Sequence, residues 1–429
     1  MTFPDMENDL RKSTSSRIFP MAGAALIALV LAACGGGSSG GSSSASSGGG
    51  AGPPPLGGGG GLPSPSSAPA LKTVLAGRYG TVNFPVGVAI EAGSTIGNDS
   101  QVLLKHFNSI TAENAMKPDQ IWPNAPGSST QPAASPNFTA ADVLLNYATN
   151  NNLQLRGHTL LWHQTTPTWM TSGSRTAAQQ NLRAYITAVM PHFPNVYAWD
   201  VVNEVASDTP NAANPYRTDS PWYQAYSQAG GDGRDYVVDA FMIAGEIRTQ
   251  MGRPQMRLML NDYNTELPGK RANVIAILRD VINAGAPIDG VGHQFHLQIG
   301  ADVAQVTAAF AAVEAVSGTL VNHVTELDVS IYQDPGTCFS ARTIPPCLAD
   351  LGANPPQSVL SAQATLYRAL FNAFNRPSVT SVSLWGLADN HTWLNTFPVT
   401  RTNRPLLFDT SGNPKWAFWA IADPSLTIP

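Results

Sequence analysis

Eight short apolar runs recur along the chain, at residues 84–89, 107–111, 153–157, 196–202, 257–260, 288–294, 321–326 and 379–385. Stretches of helical periodicity, among them 140–150, 178–190, 236–251 and 270–284, separate them. This alternation constrains the fold more than any other feature. Each run has the length and β-branched or aromatic content of a strand, and each connection is long enough to carry a helix back across a sheet. The expected class is α/β, as a single (β/α)8 barrel. A doubly wound sheet is the alternative. The runs end in Glu113-Asn114, His158, Asn203-Glu204, Asn261-Asp262, Gln294 with His296, Glu326 and Trp385. A barrel gathers such ends on one face, as an active site requires, whereas an open sheet spreads them along a line.

Two of the ends are carboxylates in apolar surroundings. Tyr197-Ala198-Trp199-Asp200-Val201-Val202 leads into Asn203-Glu204, and Val324-Thr325 leads into Glu326. A lone glutamate at a strand end is most often half of a structural ion pair. Two of them on separate strands suggest paired-carboxylate chemistry, of which glycoside hydrolysis is the best-known use. One carboxyl protonates the leaving oxygen, and burial beside a second carboxylate raises its pKa. The other stays ionised and needs hydrogen-bond donors, with His296 and Asp328 as the candidate orienting partners. Asn203 is suited to donate to a sugar hydroxyl. Trp162, Trp385 and Trp393 follow strand ends, where an indole face can stack on a sugar ring, although such tryptophans also serve as core. Lys117 is either a hydroxyl donor or a surface lysine. His158, His163, His293 and His296 match no familiar zinc spacing, so no metal is expected. Paired-carboxylate hydrolysis needs no cofactor.

Charged residues make up 12% of the chain and the net charge is -5, against roughly 25% charged residues in an average soluble protein. Nothing basic points to nucleic acid, and an uncharged polar substrate fits. Part of the low charge comes from the N-terminal region. There Arg11, Lys12 and Arg17 precede an apolar stretch at 21–33 that ends in Leu31-Ala32-Ala33-Cys34. It is too short for a comfortable membrane span and reads as an export signal. Small residues directly before a cysteine resemble the lipobox of bacterial lipoproteins, which implies lipidation of Cys34. A plain signal peptide with an incidental cysteine is the alternative. Gly35 favours the outer over the inner membrane of a Gram-negative bacterium. Residues 35–70 are nearly all Gly, Ser, Ala and Pro, the composition of a flexible tether of about 35 Å root-mean-square span. The expected organisation is signal peptide 1–33, lipidated cysteine and linker 34–70, and one catalytic unit over 71–429, acting as a monomer. Cys338 and Cys347 remain. An even pair in an exported chain reads as a disulfide.

Seven ordered motifs carry a family resemblance. They are Ile110-Thr111-Ala112-Glu113-Asn114-Ala115-Met116-Lys117, Arg156-Gly157-His158-Thr159-Leu160-Leu161-Trp162-His163, Trp199-Asp200-Val201-Val202-Asn203-Glu204, Asn261-Asp262-Tyr263-Asn264, Gly290-Val291-Gly292-His293-Gln294-Phe295-His296-Leu297, Thr325-Glu326-Leu327-Asp328 and Leu384-Trp385-Gly386. In order and spacing the chain resembles glycoside hydrolase family 10, the endo-β-1,4-xylanases, across nearly all of 71–429. The resemblance implies a retaining (β/α)8 hydrolase with its acid/base, Glu204, on the fourth strand and its nucleophile, Glu326, on the seventh. It implies that Glu113, Asn114 and Lys117 bind the sugar on the non-reducing side of the cleaved bond. By the same resemblance His158, Trp162, Asn203 and Gln294 line the central subsite. It places His296 on the nucleophile, Tyr263 near it, and Trp385 and Trp393 over the glycone sugars. The implied partner is xylan or its oligosaccharides. The chain departs from the family at Pro118, where a tryptophan is usual, and at His293, where an aliphatic residue is usual. The segment 228–234 and the cysteine-bearing loop after Glu326 are also its own. A glucan-cleaving enzyme of the same fold and a non-hydrolytic glycan-binding protein are the other readings.

Overall fold

Strands β1 (Val86–Ile90), β2 (Ser109–Ala112), β3 (Gln154–Gly157), β4 (Val196–Asn203), β5 (Arg257–Asp262), β6 (Gly290–His293), β7 (Val321–Ser330) and β8 (Val379–Leu384) pair in chain order, all parallel. β8 pairs with both β7 and β1 and so closes the barrel. The computed structural model describes residues 62–127 and 135–429. The expected signal peptide, Cys34 and the expected tether as far as residue 61 lie outside the described residues. Residues 62–70 form a short 3-10 turn at Pro65–Ser67, after which Ala68 is buried in the main core.

Every position of β7 is buried. One face of such a strand meets the barrel interior and the other meets the helices, which is why these strands read as continuous apolar runs rather than as alternating ones. The helices supply the outer layer. Arg175–His192 turns Ala178, Leu182, Tyr185, Ile186, Val189 and Met190 inward, the three-to-four-residue spacing of one helical face. The Ser174 side chain accepts from the Ala177 amide at 3.2 Å at its start, satisfying one of the free first-turn donors.

All eight anticipated runs are strands, with two informative shifts. β6 stops at His293, because the chain turns through Phe295 at a φ of +54°. It resumes as the short strand His296–Gln298, paired to β7. β7 continues to Ser330, so Glu326 lies inside a strand rather than at its end. The β7–β8 register slips between Val324 paired with Val382 and Leu327 paired with Leu384. The β4–β5 register slips between Asp200 and Val202. A bulge inserts one unpaired residue and re-aims its neighbours, and each slip lies at or just before one of the two glutamates.

The positions expected to depart from the family pattern fall in structural places. Pro118 is buried at the first position of the short helix Pro118–Ile121, where its missing N–H costs nothing. His293 is buried. Its Nδ1 pairs with the Thr265 hydroxyl and its Nε2 with Asn322 Oδ1, each at 2.8 Å. Burial pushes it down to about 4, so it is a neutral, fully bonded core residue rather than a cleft residue. Cys338 and Cys347 form a disulfide. With Phe339, Leu394 and Phe397 they build a small apolar cluster separate from the main core.

Candidate active site

The C-terminal ends of the strands converge as anticipated. β4 delivers Asn203 and then Glu204, whose backbone adopts a φ of +58°. A glutamate in the left-handed region is strained, and its surroundings hold it there. The Glu204 amide donates to the Asn261 carbonyl at 2.9 Å, and the Arg217 Nε donates to the Glu204 carbonyl at 3.2 Å. The carboxyl is bonded on both oxygens: Trp162 Nε1 donates to Oε2 at 2.8 Å and Gln294 Nε2 to Oε1 at 3.1 Å. Burial pushes the Glu204 pKa up, against the Gln294 hydrogen bond, and the nearby charges of Asp262 and Glu326 add to the rise.

Glu326 shows the opposite balance. Burial alone would raise it. The hydrogen bond from His296, the neighbouring His158 and the Asn261 donor outweigh burial and hold it below the usual carboxylate range. Asn261 Nδ2 lies 2.8 Å from Glu326 Oε1, and His296 Nε2 lies 3.2 Å from Oε2. His296 is itself anchored, with Nδ1 at 3.0 Å from Asp328 Oδ2, an oxygen that also accepts from Trp393 Nε1 at 2.9 Å. Burial opposes the imidazolium, but Asp328 and Glu326 together push His296 up to about 10. A cation therefore faces the carboxylate through the neutral range.

Asn261 links the two halves. Its Nδ2 also lies 2.8 Å from Asn203 Oδ1, and its own Oδ1 accepts from the Thr325 hydroxyl at 2.8 Å. Gln294 Nε2 adds a contact to Asn203 Oδ1 at 3.2 Å. Asn203 thus spends its oxygen inside the network, which leaves its nitrogen as the donor for a ligand. Gly292 makes room for the arrangement, because a methyl group there would overlap Asn261 Oδ1.

The remaining anticipated residues surround this centre. His158 Nδ1 lies 3.0 Å from Asp200 Oδ2, and its ring meets Trp385 edge-on at 5.3 Å. Lys117 donates to Asn114 Oδ1 at 2.8 Å and places its ammonium 4.8 Å from the Trp162 ring centre. Asn114 in turn donates to Glu91 at 2.7 Å. Burial and the nearby Glu91 push Glu113 up to about 7, so it is partly protonated at neutral pH and able to donate to a hydroxyl. The Tyr263 hydroxyl accepts from Arg217 at 2.7 Å and donates to Asp208 at 2.8 Å.

Arg217, Asp208 and Lys270 were not anticipated. Lys270 bonds the Ala206 carbonyl, Asp208 and Asp262, and so ties the loop after β4 to the end of β5. Arg217 lies in an irregular segment, where no periodicity marks it. Arg156 was quoted only within a motif, yet it is buried in the barrel, bonded to Asp200 and to His323. An apolar run ending in Asn261-Asp262 was the available signal for Asn261.

The chain was compared with known proteins. Residues 75–424 match the sequence profile of Glycosyl hydrolase family 10. The chain is 38% identical over 363 residues to a thermostable celloxylanase of Thermoclostridium stercorarium, covering 80% of this chain and 85% of that one. It is 34% identical over 366 residues to endo-1,4-beta-xylanase A of Thermoanaerobacterium saccharolyticum, covering 81% of this chain but only 27% of that much longer protein. Among solved structures it is similar to xylanase B from Clostridium stercorarium F9. There the TM-score is 0.71 at 36% identity, with 83% of this chain and 100% of that one covered. Barrel, converging strand ends and sequence agree: the chain belongs to glycosyl hydrolase family 10.

Proposed function

We propose that the protein is a retaining endo-β-1,4-xylanase in which Glu326 is the nucleophile and Glu204 the acid/base. The observation that carries this assignment is the opposite tuning of the two carboxyls. Environments that push a pair of titratable groups apart mark the acid and the base. Glu204 keeps its proton because it is buried near other carboxylates. Glu326 gives up its proton because a cationic His296 and an amide donor face it.

In the first step a Glu326 oxygen attacks the anomeric carbon. The bond from that carbon to the glycosidic oxygen breaks, and the Glu204 proton passes to the departing oxygen. In the second step the Glu204 carboxylate takes a proton from water. The water oxygen attacks the same carbon and Glu326 leaves as a carboxylate. Glu113, Asn114, Lys117, His158, Asn203 and Gln294 supply polar contacts to the sugars, with Trp162, Trp385, Trp393 and Tyr263 as the aromatic walls. The xylan assignment is supported by the family and by relatives named as xylanases. The relative named a celloxylanase also makes a glucan a reasonable second substrate. Initial rates of reducing-sugar release on xylan and on carboxymethylcellulose decide between them. The expected result is a xylan rate at least about tenfold higher, a difference of ~1.4 kcal/mol in transition-state binding. A higher rate on the glucan would contradict the assignment.

The enzyme acts outside the cytoplasm, held to the outer membrane by a lipid on Cys34 and a tether. This rests on the charge, apolar stretch and Leu31-Ala32-Ala33-Cys34 ending of the first residues. Cys34→Ser should move activity from the membrane fraction to the soluble fraction after expression in a Gram-negative host. Unchanged membrane association would contradict it.

A further inference from the structure

The segment after β7 is fastened at several points outside the barrel ladder. Asp334 forms a buried ion pair with Arg401, and its Oδ1 accepts from the Leu348 amide at 2.9 Å. Arg401 also donates to the Leu348 carbonyl at 2.8 Å. Between these clamps the Cys338–Cys347 disulfide closes the loop, with Cα atoms 4.7 Å apart. Phe339, next to Cys338, packs on Phe397 with ring centres 5.9 Å apart. Phe397 stacks on Trp393 at 5.0 Å and an interplanar angle of 22°.

Trp393 starts a short 3-10 turn, Trp393–Asn395, so no strand ladder fixes its plane. Two contacts do so instead: the Phe397 ring on one face and Asp328 Oδ2 at its Nε1. The same Asp328 oxygen holds His296, which meets the Trp393 ring edge-on at 5.0 Å and bonds Glu326. A contiguous set of contacts thus runs from the disulfide to the proposed nucleophile.

We infer that the disulfide-closed loop 334–350 positions the catalytic cleft, with Phe339 and Phe397 setting the plane of Trp393 as a sugar platform. The inference rests on the reading of Trp393 as a substrate-stacking residue. Phe397 stacks on the indole and His296 packs edge-on against the same ring, so both hold its plane. The loop reaches Trp393 and touches neither Glu204 nor Glu326 directly, so its effect is on how the enzyme holds a glycan rather than on the two-carboxylate chemistry. Aromatic pairing of this kind changes affinity by severalfold, and a lost contact felt equally in the ground and transition states raises KM with kcat unchanged.

The test uses the full chain with three changes: the double variant Cys338→Ser/Cys347→Ser, Phe339→Ala, and Phe339→Tyr as the conservative replacement. KM and kcat are measured on xylo-oligosaccharides below each variant's unfolding midpoint. Opening the loop or removing the ring should raise KM about three- to tenfold with kcat within about twofold. Phe339→Tyr, which keeps the ring, should retain a near-wild-type KM. The alanine variant keeps the disulfide, so it reads the same contact if the double variant does not fold. An unchanged KM in folded Phe339→Ala, or a loss confined to kcat and thermal stability, would overturn the inference. A wild-type chain with no activity on xylan would instead contradict the proposed function.

Discussion

Glu326→Ala is expected to abolish xylan hydrolysis, with kcat falling on the order of 10⁵-fold or more, as when other hydrolases lose a covalent nucleophile. The structure gives the reason for so large a loss. Asn261 and His296 place two donors on this carboxylate, and among the described residues no other carboxylate shares both. Asp328, two residues on, is already held by His296 and Trp393. The polar and aromatic groups proposed to contact sugar are other residues, so xylo-oligosaccharide affinity should change by only a few fold. Calorimetric titration beside a reducing-sugar assay separates the two quantities. Turnover near wild type would refute the nucleophile assignment.

Glu204→Ala has the second largest expected effect. Loss of general acid catalysis should cost about 10²–10⁴-fold on xylan, whose leaving group needs a proton. Substrates with good leaving groups should still be glycosylated onto Glu326. Azide then replaces activated water, and a β-glycosyl azide should accumulate, whereas an α-azide would contradict double displacement. The pH dependence follows from the directions of the two shifts. In the wild type kcat/KM rises as Glu326 ionises, below the usual carboxylate range. It falls as Glu204 loses its proton, above that range. On an activated substrate the alanine variant should keep the acid limb and lose the alkaline one. An alkaline limb that survives unchanged would assign it to another group.

The barrel was legible because strands buried on both faces carry a strong apolar signal. Their polar ends were legible because an asparagine or glutamate after such a run has few structural excuses. What the sequence hid was set by tertiary contacts. Glu326 reads as a strand end, yet β7 runs on to Ser330 because Asp328 is paired and bonded to His296. Periodicity does not show a bulge. Arg217 clamps the Glu204 carbonyl from an irregular loop, where only the folded chain reveals proximity. His293 stood out as a polar residue in an apolar place, and its partners, Thr265 just after β5 and Asn322 in β7, are far away in sequence. The cysteine pair was readable from counting alone, but its link to Trp393 through Phe339 and Phe397 was not.

The central claim is that Glu326 forms a covalent bond to the sugar while Glu204 handles the proton. Incubation with an activated 2-deoxy-2-fluoro-xylobioside slows the second step and traps the glycosyl-enzyme. Peptide mass spectrometry should then find one label, on Glu326 within Thr325-Glu326-Leu327-Asp328. A label on Glu204 or on any other residue, or turnover with no trapped species and inverted product, would contradict the account.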